Sequence, residues 1–314
     1  MDNNEPILVV KDLKQHFKIS RNFTVKAVDG ISFEIKPGET YGLVGESGSG
    51  KSTTGRSIIR LYKPTSGSIK FNGKEISGKL DKETLTDLRT NMQMIFQDPM
   101  ACLNPRRKVL DIIAEGLDIH KSYKTIEERN EKVYQILELV GLSKEHASRY
   151  PHQFSGGQRQ RIGIARALIM NPSLIIADEA ISALDVSIQA QVVNLMKKIQ
   201  KKTNIAYLFI AHDLSMVKYI SNRIGVLHLG HLVETGTSEE IFNHPLHPYT
   251  KSLLSAIPHP NPEVEKNRVS LTYDYKESGL NYEAGIQHKV SDTHYVLATD
   301  EEFQDFLKHQ NDII

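Results

Sequence analysis

Cysteine and tryptophan are nearly absent from this sequence. Its 314 residues contain one cysteine, Cys102, and no tryptophan. A single thiol excludes an internal disulfide and a zinc site built from several cysteines, which is typical of a protein of the reducing cytosol. We interpret Cys102 as a small spectator side chain.

Long apolar runs are also missing. No stretch reaches the roughly 18 consecutive apolar residues of a membrane span. The first residues, Met1-Asp2-Asn3-Asn4-Glu5, lack the basic and then apolar pattern of a signal peptide. We therefore expect a chain that is neither secreted nor embedded in a membrane. Peripheral attachment through a partner stays open.

The sequence has almost no net charge. Its 39 lysines and arginines balance 38 acidic residues, which leaves a formal net charge of +1. No overall field draws such a chain to nucleic acid or to anionic lipid, so we expect no nucleic-acid partner. Any polyanion that the protein binds must be held by a local arrangement of groups.

Strand and helix patterns alternate along the chain, which predicts an α/β fold with a mostly parallel sheet covered on both faces. The interval from about 98 to 160 is helical without a strong strand and predicts an inserted helical subdomain. The predicted strands are 7–10, 25–35, 41–44, 68–71, 92–96, 174–177, 206–210 and 223–227. The predicted helices are 54–61, 109–117, 126–140, 158–169, 187–202 and 214–220.

The composition changes after residue 258. Pro258, Pro260 and Pro262 indicate a linker, and residues 263–314 contain 11 acidic and 5 basic residues. We predict a first domain over 1–258 and a separate C-terminal extension over 259–314. Ordered packing without a regulatory duty is the simplest role for this extension.

A glycine-rich stretch predicts a phosphate site. It joins the strand at 41–44 to the helix at 54–61. Its Gly-x-x-x-x-Gly-Lys-Ser spacing is the P-loop pattern. In that pattern the backbone N–H groups, the start of the helix and the Lys51 ammonium all contact phosphate oxygens. In that pattern the Ser52 hydroxyl ligates Mg²⁺. The residues proposed to hold nucleotide here are Gly45, Glu46, Ser47, Gly48, Ser49, Gly50, Lys51, Ser52 and Thr53.

An acidic pair at the end of another strand fits the same phosphate site. The apolar strand at 174–177 ends in Asp178 and Glu179. Beside a P-loop, such a pair can provide one carboxylate that supports Mg²⁺ and one that accepts a proton from an attacking water. Two acids at a strand end are otherwise common and merely solvated.

A third motif makes a family resemblance specific. Ser155-Gly156-Gly157-Gln158 lies between the other two motifs. The order along the chain is thus the P-loop, Ser-Gly-Gly-Gln, the Asp-Glu strand and then His212. In this order of motifs, residues 6–258 resemble the ATP-binding cassette (ABC) ATPases. The serine and glycines open a second helix, so they can form a second anion-binding helix start. The chain then carries two half-sites.

The resemblance implies a P-loop NTPase core with an antiparallel β edge, and it implies a role for several residues. In the family two cassettes meet head to tail, and the P-loop of each closes on the Ser-Gly-Gly-Gln loop of the other around ATP. Glu179 then resembles the general base and His212 the residue that contacts the γ-phosphate. Gln97 resembles the residue that positions water or metal. Asp185 resembles an inter-subunit contact, and Phe17, or with less support Phe23, the ring that stacks on adenine.

Three longer stretches, 97–106, 182–191 and 244–250, resemble the ATPase subunits of oligopeptide and dipeptide permeases. That resemblance implies an importer with a second ATPase subunit, most simply a heterodimer, two membrane permeases and an external peptide receptor, with this chain peripheral at the cytoplasmic face. Dipeptides or nickel are alternative substrates. A non-hydrolysing ATP clamp and a soluble ABC ATPase acting on nucleic acid are alternative roles.

Two residues depart from the pattern of these relatives. Ala180 stands where proline usually follows the catalytic glutamate, and Cys102 stands where serine is usual. Neither change removes a ligand. The absence of proline could loosen the turn that directs Glu179.

Overall fold

A computed structural model describes residues 5–258, 265 and 270–309. Two sheets organise this part of the chain, one of four strands and one of eight. The four-stranded sheet is antiparallel and has the order β2-β1-β4-β5. Its strands are β1 (Leu8–Lys18), β2 (Thr24–Ile35), β4 (Ser66–Phe71) and β5 (Lys74–Glu75).

The eight-stranded sheet has the order β11-β12-β10-β9-β3-β8-β7-β6. Neighbours from β9 to β6 run parallel, whereas β9, β10, β12 and β11 pair antiparallel with one another. The predicted parallel core and antiparallel edge are confirmed. These strands are β3 (Thr40–Val44), β6 (Met92–Ile95), β7 (Leu174–Asp178), β8 (Ala206–Ile210), β9 (Arg223–His228), β10 (His231–Thr237), β11 (Ile286–Lys289) and β12 (Tyr295–Ala298).

Both faces of the parallel strands are buried, as their unbroken apolar sequences require. In β7 the side chains of Ile175 and Ala177 pack with the helices, whereas those of Leu174 and Ile176 pack toward the four-stranded sheet. This alternation follows the two-residue period of a strand. The parallel core is therefore a middle layer that is packed on both faces.

Helices cover the sheet and form the interval between β6 and β7. The helices of that interval are α3 (Pro99–Cys102), α4 (Val109–Ile113), α5 (Glu115–His120), α6 (Ile126–Leu139) and α7 (Gly156–Leu168), with 3-10 turns at Lys144–Ser148 and Pro151–Gln153. The others are α1 (Lys51–Ile58), α2 (Lys82–Asn91), α8 (Val186–Thr203), α9 (Leu214–Ile220), α10 (Ser238–Asn243), α11 (Pro248–Ser255) and α12 (Asp300–Lys308). None of the helices over the described ranges is both long and apolar enough to cross a bilayer.

The C-terminal segment extends the main sheet. Strand β12 pairs with β10, with Val296 opposite Glu234, and Tyr282 is 5% exposed within the main core. The C-terminal segment thus packs on the first domain, and the division into 1–258 and 259–314 stays a prediction. Of the predicted linker prolines, Pro260 and Pro262 lie outside the described residues.

Glu234 ties the C-terminal strand to the sheet. Its side chain is fully buried and accepts hydrogen bonds from the backbone N–H groups of Leu246 (2.8 Å) and His247 (3.1 Å). Its Oε1 also lies 2.7 Å from His294 Nε2, which comes from the segment just before β12. One carboxylate therefore joins β10, the loop before α11 and the C-terminal segment.

Replacing Glu234 should destabilise the fold strongly. Glu234→Ala leaves two backbone N–H groups and the His294 ring nitrogen without their acceptor, and each buried unsatisfied group costs about 1–3 kcal/mol. We expect the free energy of unfolding, measured by urea titration, to fall by at least about 3 kcal/mol. The control Glu239→Ala changes an exposed residue of α10 and should have little effect. A loss below about 1 kcal/mol for Glu234→Ala would show that these groups find other acceptors.

Candidate functional site

The parallel strands bring the predicted site residues to one edge of the sheet. Leu43 in β3 and Asp178 in β7 both pair with Ile210 of β8, and Ile95 of β6 pairs with Ala177. The chain leaves each of these strands at the same edge because they run in the same direction. The P-loop, Glu179, His212 and Gln97 all follow directly from these ends. The sequence therefore brings the P-loop, the acidic pair, His212 and Gln97 to one edge of the sheet, whereas the Ser155 loop starts a helix elsewhere.

The glycines at the two ends of the P-loop are required by close backbone contacts. Gly45 has φ +150°, and a Cβ there would lie 2.1 Å from the Leu227 carbonyl oxygen. Gly50 has φ +107°, and a Cβ there would lie 2.2 Å from the Ala27 carbonyl oxygen. No side chain fits at either position. The loop is thus packed between the end of β9 and the first half of β2.

Helix α1 begins at Lys51, directly after the loop. The backbone N–H groups of a helix's first turn have no partner within the helix and carry partial positive charge. Those of Lys51, Ser52 and Thr53 therefore form an anion-binding start, as predicted for a P-loop. The first turn of α1 contains no acidic residue that would compete for them.

The Lys51 ammonium lies inside the curl of the loop. Its Nζ donates to the carbonyl oxygens of Gly45 (2.8 Å) and Glu46 (2.7 Å), and the residue is 4% exposed. Burial lowers the pKa of Lys51, while the nearby carboxylates of Glu179 and Asp178 oppose that shift. The loop thus holds a cation at the point on which its N–H groups converge.

Ser52 and Asp178 form a site suited to Mg²⁺. Ser52 Oγ donates to Asp178 Oδ1 at 2.6 Å, and Asp178 is 1% exposed at the end of β7. Hydroxyl and carboxylate oxygens are ligands that Mg²⁺ takes, and it binds through one or two carboxylates together with substrate phosphates. The residues present therefore fit this ion.

Arg56 was not predicted to belong to the site. It lies one turn beyond Ser52 on α1, and its NH2 is 3.4 Å from Asp178 Oδ2. This contact helps fix the buried carboxylate that faces Ser52. An arginine in a helix sequence has no local signal for such a role, because the contact spans 122 positions along the chain.

Glu179 is held in an unusual backbone conformation. Its φ is +48°, its N–H donates to Ile210 O (2.9 Å), and the N–H and hydroxyl of Ser182 both bind its carbonyl oxygen (3.1 and 3.0 Å). Non-glycine residues adopt this region rarely, and such residues cluster at active sites. These bonds fix the turn although Ala180, which is buried, replaces the expected proline.

His212 faces the same carboxylate. Its Nδ1 lies 4.0 Å from Glu179 Oε2, with side-chain exposures of 58% and 19% respectively. His212 lies two residues beyond the end of β8, and its imidazole is exposed to solvent at this edge of the sheet. Gln97 is exposed and lies two residues beyond Ile95, the last residue of β6.

The Ser155 loop occupies a different element. Ser155 is the N-cap of α7, and it forms a capping box in which its Oγ accepts from Gln158 N (3.3 Å) while Gln158 Oε1 accepts from Ser155 N (3.1 Å). The loop starts a helix and does not continue a strand of the P-loop edge. Ser155 is exposed, and Gly157 packs so closely on α8 that a Cβ would lie 2.6 Å from Ile188.

The other residues singled out in the sequence lie in β1, between β1 and β2, at the start of α8 and at the end of α3. Phe17 in β1 is half-buried and makes an edge-on contact with Tyr62 (centroids 5.4 Å apart), whereas Phe23 is 58% exposed. Asp185 is exposed at the N-cap of α8. Cys102 is half-buried, and its carbonyl oxygen accepts a bond from Arg166. The adenine and inter-subunit roles stay predictions.

Two family models match the sequence. The ABC transporter model matches residues 28–182, which include the P-loop, the Ser155 loop and the acidic pair. A model described as the oligopeptide/dipeptide transporter C-terminal region matches residues 233–277. The second match includes Glu234 and the loop before α11.

Several curated proteins are similar over nearly the whole chain. The oligopeptide transport ATP-binding protein OppF of Bacillus subtilis is 61% identical, with 96% of this chain and 99% of that protein covered. OppF of Streptococcus mutans is 55% identical, with 98% and 99% covered. The dipeptide transport ATP-binding protein DppF of Lactococcus lactis is 52% identical, with the same coverage.

Solved structures share the fold. The structure of cbiO1 from Clostridium perfringens, part of the ABC transporter complex cbiONQ, has a TM-score of 0.67 and 27% identity and covers 76% of this chain and 91% of that one. A dimeric ATP-binding cassette, MJ0796, in a post-hydrolysis state bound to ADP and Pi, has a TM-score of 0.66 and 29% identity and covers 74% and 98%.

Proposed function

Because the chain belongs to the ABC transporter family, among the ATP-binding subunits of oligopeptide and dipeptide transporters, we propose that its sheet edge is half of an ATPase motor that drives oligopeptide uptake. The protein is an ATPase subunit of a peptide ABC importer. Its nucleotide is ATP, as in the family.

The P-loop binds the triphosphate. The N–H groups that start α1 and the Lys51 ammonium face the phosphates, and Phe17 stacks on the adenine. Ser52 and Asp178 would hold Mg²⁺, because the Ser52 hydroxyl and the Asp178 carboxylate lie within hydrogen-bond distance of each other. Gln97 would be a further ligand beside them. When bound, that ion supplies positive charge for the β- and γ-phosphate oxygens.

Glu179 is the general base and His212 contacts the γ-phosphate. The carboxylate is one-fifth exposed, so it can face an attacking water and accept its proton. The imidazole 4.0 Å away is placed to contact the phosphate oxygen that becomes charged. Phosphoryl transfer needs mainly such positioning and charge stabilisation, so no covalent intermediate with the protein is required.

The second half-site comes from another ATPase subunit. Ser155 with Gly156 and Gly157 starts a helix away from the sheet edge, so its N–H groups can serve a nucleotide on a neighbouring molecule. We propose a head-to-tail pair, most simply a heterodimer, in which Asp185 contacts the partner. Hydrolysis is then possible only in the closed pair, and closure can do mechanical work.

This pair sits at the cytoplasmic face of the membrane beneath two permease subunits, and an external receptor delivers the peptide. The helical interval 98–160, which follows Gln97, receives the permeases, as the resemblance to other importer ATPases implies. The acidic C-terminal segment braces the pair from below. Dipeptides or nickel remain alternative cargoes, since the ATPase subunit does not touch the solute.

One observation carries the proposal for hydrolysis: Glu179 and His212 face each other beside the Ser52–Asp178 pair. A non-hydrolysing clamp would need one of these groups to be missing. The test is the purified importer in proteoliposomes with its receptor, where peptide uptake and phosphate release should both require ATP and Mg²⁺. Uptake of nickel but not of peptides would reject the cargo, and ATP binding without phosphate release would reject the motor.

A further inference from the structure

The P-loop is held from outside by a tyrosine of α11. The backbone N–H of Glu46 donates to Tyr249 Oη at 2.9 Å, across 203 positions of sequence. Neither the P-loop pattern nor the family assignment gives Tyr249 a part in the nucleotide site. Its ring is 1% exposed, so the hydroxyl cannot swing away into solvent.

The peptide unit that Tyr249 contacts also receives Lys51. The N–H of Glu46 and the carbonyl of Gly45 belong to the same planar amide, and they point in opposite directions. The carbonyl accepts from Lys51 Nζ at 2.8 Å, while the N–H donates to Tyr249. The tyrosine hydroxyl therefore fixes the orientation of the amide that holds the phosphate-binding lysine.

The C-terminal half of the chain fixes Tyr249 in turn. Its ring stacks on His228 with centroids 4.0 Å apart, and its N–H donates to His247 Nδ1 at 3.0 Å. His247 N–H binds the buried Glu234 carboxylate. His228 also lies 2.8 Å from the hydroxyl of Tyr282 in the C-terminal segment. A continuous set of contacts thus runs from that segment to the P-loop.

We propose that Tyr249 is a positioning residue for ATP binding, through which the C-terminal region preorganises the P-loop. This inference rests on the proposed function, since it concerns the same phosphate site. Tyr249 touches no substrate. Its hydroxyl holds the Gly45–Glu46 amide, so that Lys51 and the loop's N–H groups are in place before the triphosphate arrives. Preorganisation of this kind strengthens binding because less ordering remains to be done.

The test is Tyr249→Phe in the purified importer, with Tyr273→Phe as the matched control. Both changes remove one tyrosine hydroxyl from the same aromatic cluster. Among the residues that the structure describes, however, the Tyr273 hydroxyl bonds to Tyr282 and Ser278 and not to the P-loop. One net hydrogen bond corresponds to about a 2- to 10-fold change in an equilibrium constant. We expect KM for ATP, and Kd for a fluorescent ATP analogue, to rise about 3- to 10-fold in Tyr249→Phe, with kcat within about twofold of the wild type.

The control should keep KM and Kd unchanged, whatever happens to its melting temperature. An unchanged KM in Tyr249→Phe, with or without a lower melting temperature, would overturn the inference. So would an equal rise in both variants, because the effect would then come from the cluster's stability. If the wild-type importer itself binds no ATP, the proposed function fails and not merely this inference.

Discussion

Glu179→Gln should stop turnover while leaving ATP bound. The amide keeps the size of the side chain and can keep the backbone bonds that hold the turn at φ +48°, but it cannot accept a proton. Loss of a positioned general base costs about 10²- to 10⁴-fold in rate. We expect phosphate release by the purified importer to fall by that amount when the equivalent glutamate of the second ATPase subunit is changed as well.

ATP binding, unlike turnover, should be nearly unchanged in Glu179→Gln. The P-loop contacts of Lys51 and the Ser52–Asp178 pair do not involve the Glu179 side chain, so Kd for ATP should stay within about threefold of the wild type. Glu239→Gln, on the exposed surface of α10, is the matched control and should keep full turnover. Unchanged phosphate release in Glu179→Gln would reject Glu179 as the base.

Ser155→Asp should also abolish turnover, for a different reason. Aspartate is as good an N-cap as serine, so it can keep the bond from Gln158 N and the start of α7. It also places a negative charge on the exposed loop that is proposed to meet the partner's γ-phosphate. Like charges held that close in a dry seam repel strongly, so the pair cannot close.

For Ser155→Asp we expect at least a 100-fold loss of phosphate release when the equivalent serine of the partner is also changed. ATP binding to the open subunit should remain, because the P-loop of this chain is untouched. Ser155→Thr keeps both the cap and the hydroxyl and should retain most of the activity. Normal turnover in Ser155→Asp, with an unchanged melting temperature, would show that the loop does not face a phosphate.

The sequence predicted the P-loop edge well because its signals are local. Strand β3, the glycines and α1 follow one another, so spacing alone indicates where Gly45, Lys51 and Ser52 lie. Glu179 and His212 each follow an apolar strand, and parallel strands bring such ends together. The sequence could therefore predict that the Glu179 and His212 side chains lie close together, but it could not predict the distance of 4.0 Å between them.

The packing of the C-terminal region was harder to predict from the sequence. Strand β10 carries Glu234 at a fully buried position, and a charged residue in a short strand argues against a core strand unless its partners are known. Those partners, His294 and two backbone N–H groups, come from elsewhere in the chain. The bond from Glu46 to Tyr249 depends on the same long-range packing. Prolines and acidic charge instead suggested a separate unit.

The proposed motor depends most on a nucleotide shared between two subunits. Its most direct test is an electron cryomicroscopy structure of the importer that carries Glu179→Gln and is loaded with Mg²⁺ and ATP. We expect that Lys51 and the partner's Ser-Gly-Gly-Gln loop both contact one γ-phosphate, and that Ser155 contacts the γ-phosphate of the partner's nucleotide. The proposed motor makes this result necessary. It would be contradicted if every nucleotide-loaded state of a hydrolysing importer held these two loops apart.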